Sequence, residues 1–167
     1  MSKSYKKTEL QFFTILSFAQ ELRETPLGSG YFIPASNTIP DPQSKGICKL
    51  YFSEDFETLR LKLKIYGNQK IILSHLHLDD PSATGPLTVS LFPNKKAIIK
   101  NKNNNNFSLK IELTNDDVIP RNNKNNFSTN TIASLYNAIR GNNLYVDVHG
   151  EGDYLLGMLR GQFYLSQ

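Results

Sequence analysis

The chain has 167 residues and a formal net charge of +4, with 39% hydrophobic and 20% charged residues, a length and composition that suit one domain with its own core. Its pI near 9.1 is too mild to imply nucleic acid without a basic patch, and no apolar run approaches the ~18 residues of a membrane span. A single cysteine excludes an intramolecular disulfide framework.

Met1–Glu9 is polar and reads as an N-terminal arm. It leads into Leu10–Ala19, interrupted by Gln11, Thr14 and Ser17 with no cleavage site after it. That pattern is not a signal peptide, so the expectation is cytoplasmic synthesis. The rest, 10–167, reads as one domain. Strands are predicted at Leu10–Phe18 and Ile47–Ser53, with Pro26–Gly46 a long proline-rich connection between them. Ser53–Glu57 is a hairpin loop. After it Leu59, Leu61, Leu63 and Ile65 alternate with Arg60, Lys62 and Lys64, the clearest half-buried strand in the chain. The lysine side of that strand lacks interleaved aromatics, which argues for a solvated face and against single-stranded nucleic acid.

Further strands are predicted at Ile71–Leu78, Leu87–Phe92, Phe107–Leu113, Leu144–His149 and Leu156–Leu165. Of 17 asparagines, 15 fall between Asn94 and Asn143. Asn94–Asn106 and Asn122–Asn130 therefore read as compositionally biased, exposed loops. Asp116-Asp117 reads as a turn or a short-helix cap, and Cys48 as a small buried apolar residue. Ile132, Leu135, Tyr136 and Ile139 follow the 3.6-residue period and predict one short helix near 131–140. Thr129 or Asn130 is placed to cap it and Gly141 to close it. Eight or so short strands around one helix predict an all-β fold, an antiparallel Greek-key sandwich or barrel.

The chain has three histidines, His75, His77 and His149. Residues two apart on a strand share a face, with Cα atoms ~6.5–7 Å apart, so His75 and His77 can reach one metal ion. His149 ends a different predicted strand. Three imidazoles suit copper or zinc and leave a coordination position open. The rival reading is three hydrogen-bonded strand histidines. Asp79, Asp80, Asp147 and Asp153 stand nearby as candidate supporting carboxylates or plain loop residues. No phosphate loop, dinucleotide fingerprint or nucleophile elbow is present.

The order of these pieces resembles the chordin-type (CHRD) domain over about residues 10–165. The resemblance is carried by Phe13–Ser17 followed by Gln20-Glu21, by Gly46–Phe52, and by Ser74-His75-Leu76-His77 followed by Gly85–Val89. Leu113–Val118, Asn143–His149 and Leu159–Phe163 complete it. It implies a β-sandwich similar to the copper/zinc superoxide dismutase barrel, with His75, His77 and His149 at positions that bind copper there. No histidine remains for the zinc ligands of that fold.

Three functions follow as expectations. The first is a non-catalytic module for surface interaction or self-assembly, its partner a second copy or another protein, with a His₃ site for copper or zinc. The second is a copper-dependent redox enzyme of superoxide-dismutase type. The third is a structural subunit of a spore layer, virion or filament, released or assembled without export.

Overall fold

A computed structural model describes residues 9–24, 32–67, 69–100 and 106–165. The predicted arm lies outside them except for Glu9, as do parts of the proline-rich connection and of the first asparagine tract. β1 (Glu9–Ser17) buries Phe12, Thr14 and Leu16 and exposes Gln11, Phe13 and Ile15 between them, the period of a pleated strand with one face on a core. β2 (Leu22–Glu24) and β3 (Phe32–Pro34) form a small ribbon of their own. β4 (Lys45–Ser53) and β5 (Thr58–Tyr66) are the predicted hairpin around Ser53–Glu57. β6 (Ile71–Leu78) pairs with β7 (Leu87–Phe92), and β8 (Ile98–Lys100) with β9 (Asn106–Thr114). A second ribbon joins β10 (Arg121–Asn122) to β11 (Ser128–Thr129). β12 (Leu144–Gly150) and β13 (Leu159–Gln162) close the chain.

Nine of these strands form one antiparallel sheet in the order β7-β6-β12-β13-β1-β4-β5-β9-β8, curled into a half-barrel. The all-β expectation holds. Hairpin partners lie side by side, and the connections β5–β6, β7–β8 and β9–β12 carry the chain across the sheet. The concave side is the core, filled by leucines of β4, β5, β6 and β9 with Val146 and Val148.

α1 (Ile132–Arg140) packs against this core through Ile132, Leu135, Ala138 and Ile139. Nine residues are too few for a stable isolated helix, so the packing holds it. Tyr136 sits among Phe12, Phe52 and Phe56 at ring-centroid distances of 5.9, 5.8 and 4.9 Å, in the tilted or edge-on arrangements that aromatic pairs favour.

The structure corrects three local expectations. The helix cap is Thr131, whose side chain accepts from the Ser134 N–H at 3.2 Å while Ser134 Oγ accepts from Thr131 N–H at 2.9 Å. Thr129 is buried instead, 2.6 Å from the Thr88 hydroxyl. The tract 94–106 is not all loop, because Ile98–Lys100 finds a partner in β9. The strand predicted at 156–165 shortens to Leu159–Gln162, since a 3-10 turn at Gly152–Tyr154 and Gly157 at φ +129° occupy the approach. Cys48 and the Asp116-Asp117 turn stand as read: Cys48 is fully buried, and Asp117 closes a capping box with Thr114.

Candidate metal centre

β6 and β12 pair with Tyr145 opposite His77 and Asp147 opposite His75. Alternation then puts His75, His77, Tyr145, Asp147 and His149 on one face, and Leu76, Leu78, Val146 and Val148 on the other. The second set is core, so the three histidines stand on the outer, convex side of the sheet. β13 widens this face, with Arg160 opposite Asp147 and Gln162 opposite Tyr145.

An outer face would be wet, yet Tyr145, Asp147, Arg160 and Gln162 are all buried. Connecting segments cover them, and backbone carbonyls hold the cover down. Arg160 donates to the carbonyls of Ala83 (2.7 Å) and Asp80 (2.8 Å) in the β6–β7 connection. Gln162 donates to the carbonyls of Asp79 (3.1 Å) and Asn142 (2.8 Å). The Arg160 guanidinium lies 3.6 Å from the Tyr145 ring centre, and Tyr145 stacks on His77 at 5.1 Å with 12° between planes. Asn123 and Asn125 brace the same cover through Asn143 (2.7 Å) and Asp80 (2.9 Å). That part of the second asparagine tract is built into the structure rather than loose on its surface.

The imidazoles converge. One ring nitrogen of each lies within 4.8 Å of those of the other two, and the His75 ring centre is 5.6 Å from that of His77 and 5.4 Å from that of His149. Two rings are anchored through one nitrogen: His77 Nδ1 pairs with the Gly85 carbonyl at 2.9 Å and His149 Nδ1 with the Leu155 carbonyl at 2.8 Å. A carbonyl only accepts, so each Nδ1 carries the proton, which in the neutral ring leaves a lone pair on Nε2. Among the described residues His75 Nδ1 and His77 Nε2 are buried without a hydrogen-bond partner, and buried His149 Nε2 has the Asp147 carboxylate at 3.2 Å.

Buried polar atoms are seldom left unpaired, and here two such nitrogens meet a third that faces a carboxylate, a donor set suited to a cation. Anchoring an imidazole through its other nitrogen to a carbonyl is also how metal-binding histidines are oriented. Nitrogens at ~2.0–2.1 Å from one ion stand ~3.3–4.1 Å apart, so small ring rotations bring these three onto a metal. The donor set fits copper or zinc.

Charge around the cluster is uneven. Burial, then the neighbouring His77 and His149, lower His75 to about 4. Burial lowers His77 too, against the pull of Asp147 and the Gly85 carbonyl. Burial acts the same way on His149, but Asp147 Oδ2 lies 3.2 Å from its Nε2 and raises it above the ordinary histidine value. Asp147, which burial alone would raise, is held low by His149, His77 and Glu21. Burial and Asp147 push Glu21 well above the usual carboxylate range. Glu21 Oε2 and Asp147 Oδ1 have no N–H or O–H donor among the described residues. A proton on Glu21, facing Asp147, satisfies the pair.

In metal-free protein the three rings should therefore separate in an imidazole ¹⁵N NMR titration. His149 gains its proton first as pH falls, above 6.5, and His75 last, at about 4. The folded state resists protonating His75, so this ring's contribution to stability is lost as pH falls from ~6.5 through about 4. Three rings titrating together near ~6.5 would mean that the cluster is not packed as described.

The structure brings His75, His77 and His149 together as the sequence predicts, and of the four carboxylates only Asp147 touches them. Arg160, Tyr145, Gln162, Glu21 and Gly85 are the residues to which the sequence assigned no role. The available signals were their place in the segments that carry the resemblance and the alternation in Leu159–Phe163, which puts two polar side chains on one strand face. No curated protein and no solved structure matches the chain. The model of the CHRD domain matches residues 13–163, from the first strand through the residue that follows β13, and the chain therefore belongs to the CHRD domain family.

Proposed function

We propose that the chain is a non-catalytic CHRD module that acts through its surface, on a second copy or another protein, and holds one copper or zinc ion on His75, His77 and His149. The observation that carries the metal is the meeting of three buried ring nitrogens at one point, two of them unpartnered and the third beside the Asp147 carboxylate. Two of the rings are already oriented through their other nitrogen. Bound there, the ion ties β6 to β12, and copper would add one-electron chemistry. His75 and His77 are held neutral at pH 7 and are ready as ligands without losing a proton. Asp147 and the Leu155 carbonyl orient His149, and the Gly85 carbonyl orients His77.

A second reading, a copper enzyme of superoxide-dismutase type, is supported by the placement of the cluster on the outer sheet face beneath connecting loops. Copper-loaded protein that removes superoxide faster than the same amount of free copper would favour it over the non-catalytic reading.

Protein purified without an affinity tag should bind Cu(II) at one equivalent, and more tightly than Zn(II). Copper should raise its melting temperature through linkage. The double variant His75→Ala/His77→Ala should lose both effects while its circular dichroism still shows mostly sheet. Equal copper binding by the double variant, or none by the unaltered chain, would refute the site.

A further inference from the structure

The opposite half of the sheet carries a different chemistry on its convex side. Register places Phe13, Lys49, Lys62, Lys110 and Ile98 in one row across β1, β4, β5, β9 and β8. The next row is Ile15, Ile47, Lys64, Ser108 and Lys100. Lys45 and Arg60 flank these rows on β4 and β5. Among the described residues, against seven cations the face offers only Glu9, which Arg60 takes as an ion-pair partner, and Glu112 opposite Arg60. The surplus exceeds the +4 of the whole chain.

Lys49, Lys62 and Lys110 stand directly opposite one another across three strands, an arrangement that weakens a sheet. Among the described residues the row is relieved by Glu112, two residues from Lys110 on the same face, and by Tyr51, whose ring centre lies 4.8 Å from Lys62 Nζ. Phe13, Ile15 and Ile98 are each about 60% exposed on the same face, and Ile47 is 37% exposed. The positive field selects an anionic partner of surface-like extent, since the rows span roughly 20 Å across five strands. A soluble polyanion would neutralise the lysines but gain little from burying Phe13, Ile15 and Ile47. A bilayer with anionic headgroups satisfies both, taking the apolar side chains into the headgroup boundary while lysine stems lie along it.

We propose that this face docks peripherally on an anionic lipid surface. The full chain should co-sediment with phosphatidylcholine vesicles that contain phosphatidylserine and not with phosphatidylcholine alone, and added salt should weaken the binding. Lys49→Glu with Lys110→Glu should weaken it by at least ~30-fold, two charges being lost outright and then reversed. That variant alternates charge across the row and should melt no lower than the parent. Phe13→Ser with Ile15→Ser should weaken vesicle binding by at least ~10-fold and leave heparin binding unchanged. Failure to bind the anionic vesicles would overturn the proposal. So would vesicle binding that either variant leaves intact, and in the second variant that result would assign the face to a soluble polyanion.

Discussion

Replacing Arg160 with alanine is expected to lower stability by about 3–5 kcal/mol, the range for removing one partner of a buried charged network. Arg160 is 1% exposed. Its guanidinium donates to the carbonyls of Asp80 and Ala83 and to Gln162 Oε1 at 3.2 Å. It also lies over the Tyr145 ring, 3.6 Å from its centre, and Tyr145 in turn stacks on His77. Alanine leaves two carbonyls without this donor, opens a cavity of side-chain size, and removes the positive charge near Asp147 and Glu21. Each loss acts in the same direction. For a domain this long the melting temperature should fall by roughly 6–20 °C. Limited proteolysis should then cut in the connection between β6 and β7. Arg160→Lys keeps the charge but not the planar fork, so it should fall between the two. A melting temperature within ~2 °C of the parent for Arg160→Ala would show that the cover is held by something else.

The second large effect is expected at Gly85. A Cβ there would sit 2.0 Å from the Leu78 carbonyl oxygen and 2.6 Å from Asp79 Cβ, and backbone cannot yield as a flexible side chain does. The same residue donates its N–H to the Tyr145 hydroxyl at 3.0 Å and accepts from His77 Nδ1 at 2.9 Å. Gly85→Ala must therefore shift the connection, and with it the carbonyl that hydrogen-bonds His77 Nδ1. We expect a loss of about 2–3 kcal/mol from overpacking and a ~10–100-fold loss of copper affinity from the misplaced ring. Gly152→Ala is the control. Gly152 has φ +65° but no atom within 4 Å of the added Cβ, so it should cost about 1 kcal/mol and leave copper affinity unchanged. Copper titration and thermal melting of the two variants check both halves. Equal behaviour would mean that Gly85 does not position the site.

How much of this was legible in the sequence depends on how local each feature is. Alternation is a property of a single pleated strand, so Leu59–Ile65 and Phe107–Leu113 were readable and fold as read. The helix was readable from Ile132, Leu135 and Ile139, but its cap was not. Thr129, Asn130 and Thr131 are all capable residues, and Thr129 was taken by Thr88 across the fold. Tyr145, Asp147 and His149 were readable as one face of a strand. That this face is buried was not, because its cover comes from residues 18–21, 79–86 and 152–157, far apart in the chain.

The sequence by itself determined the all-β class, the strand faces and the shared face of His75 and His77, all consequences of a backbone period two residues long. Only the tertiary structure decided that β12 lies between β6 and β13, which brings His149 to the pair and sets Asp147 between His75 and Arg160. Register and strand order arise from pairings between distant segments, where one residue of slip reverses every side chain. Tertiary structure likewise decided that Lys49, Lys62 and Lys110 form a single row. No stretch of sequence contains that row, since its members meet only when three strands align.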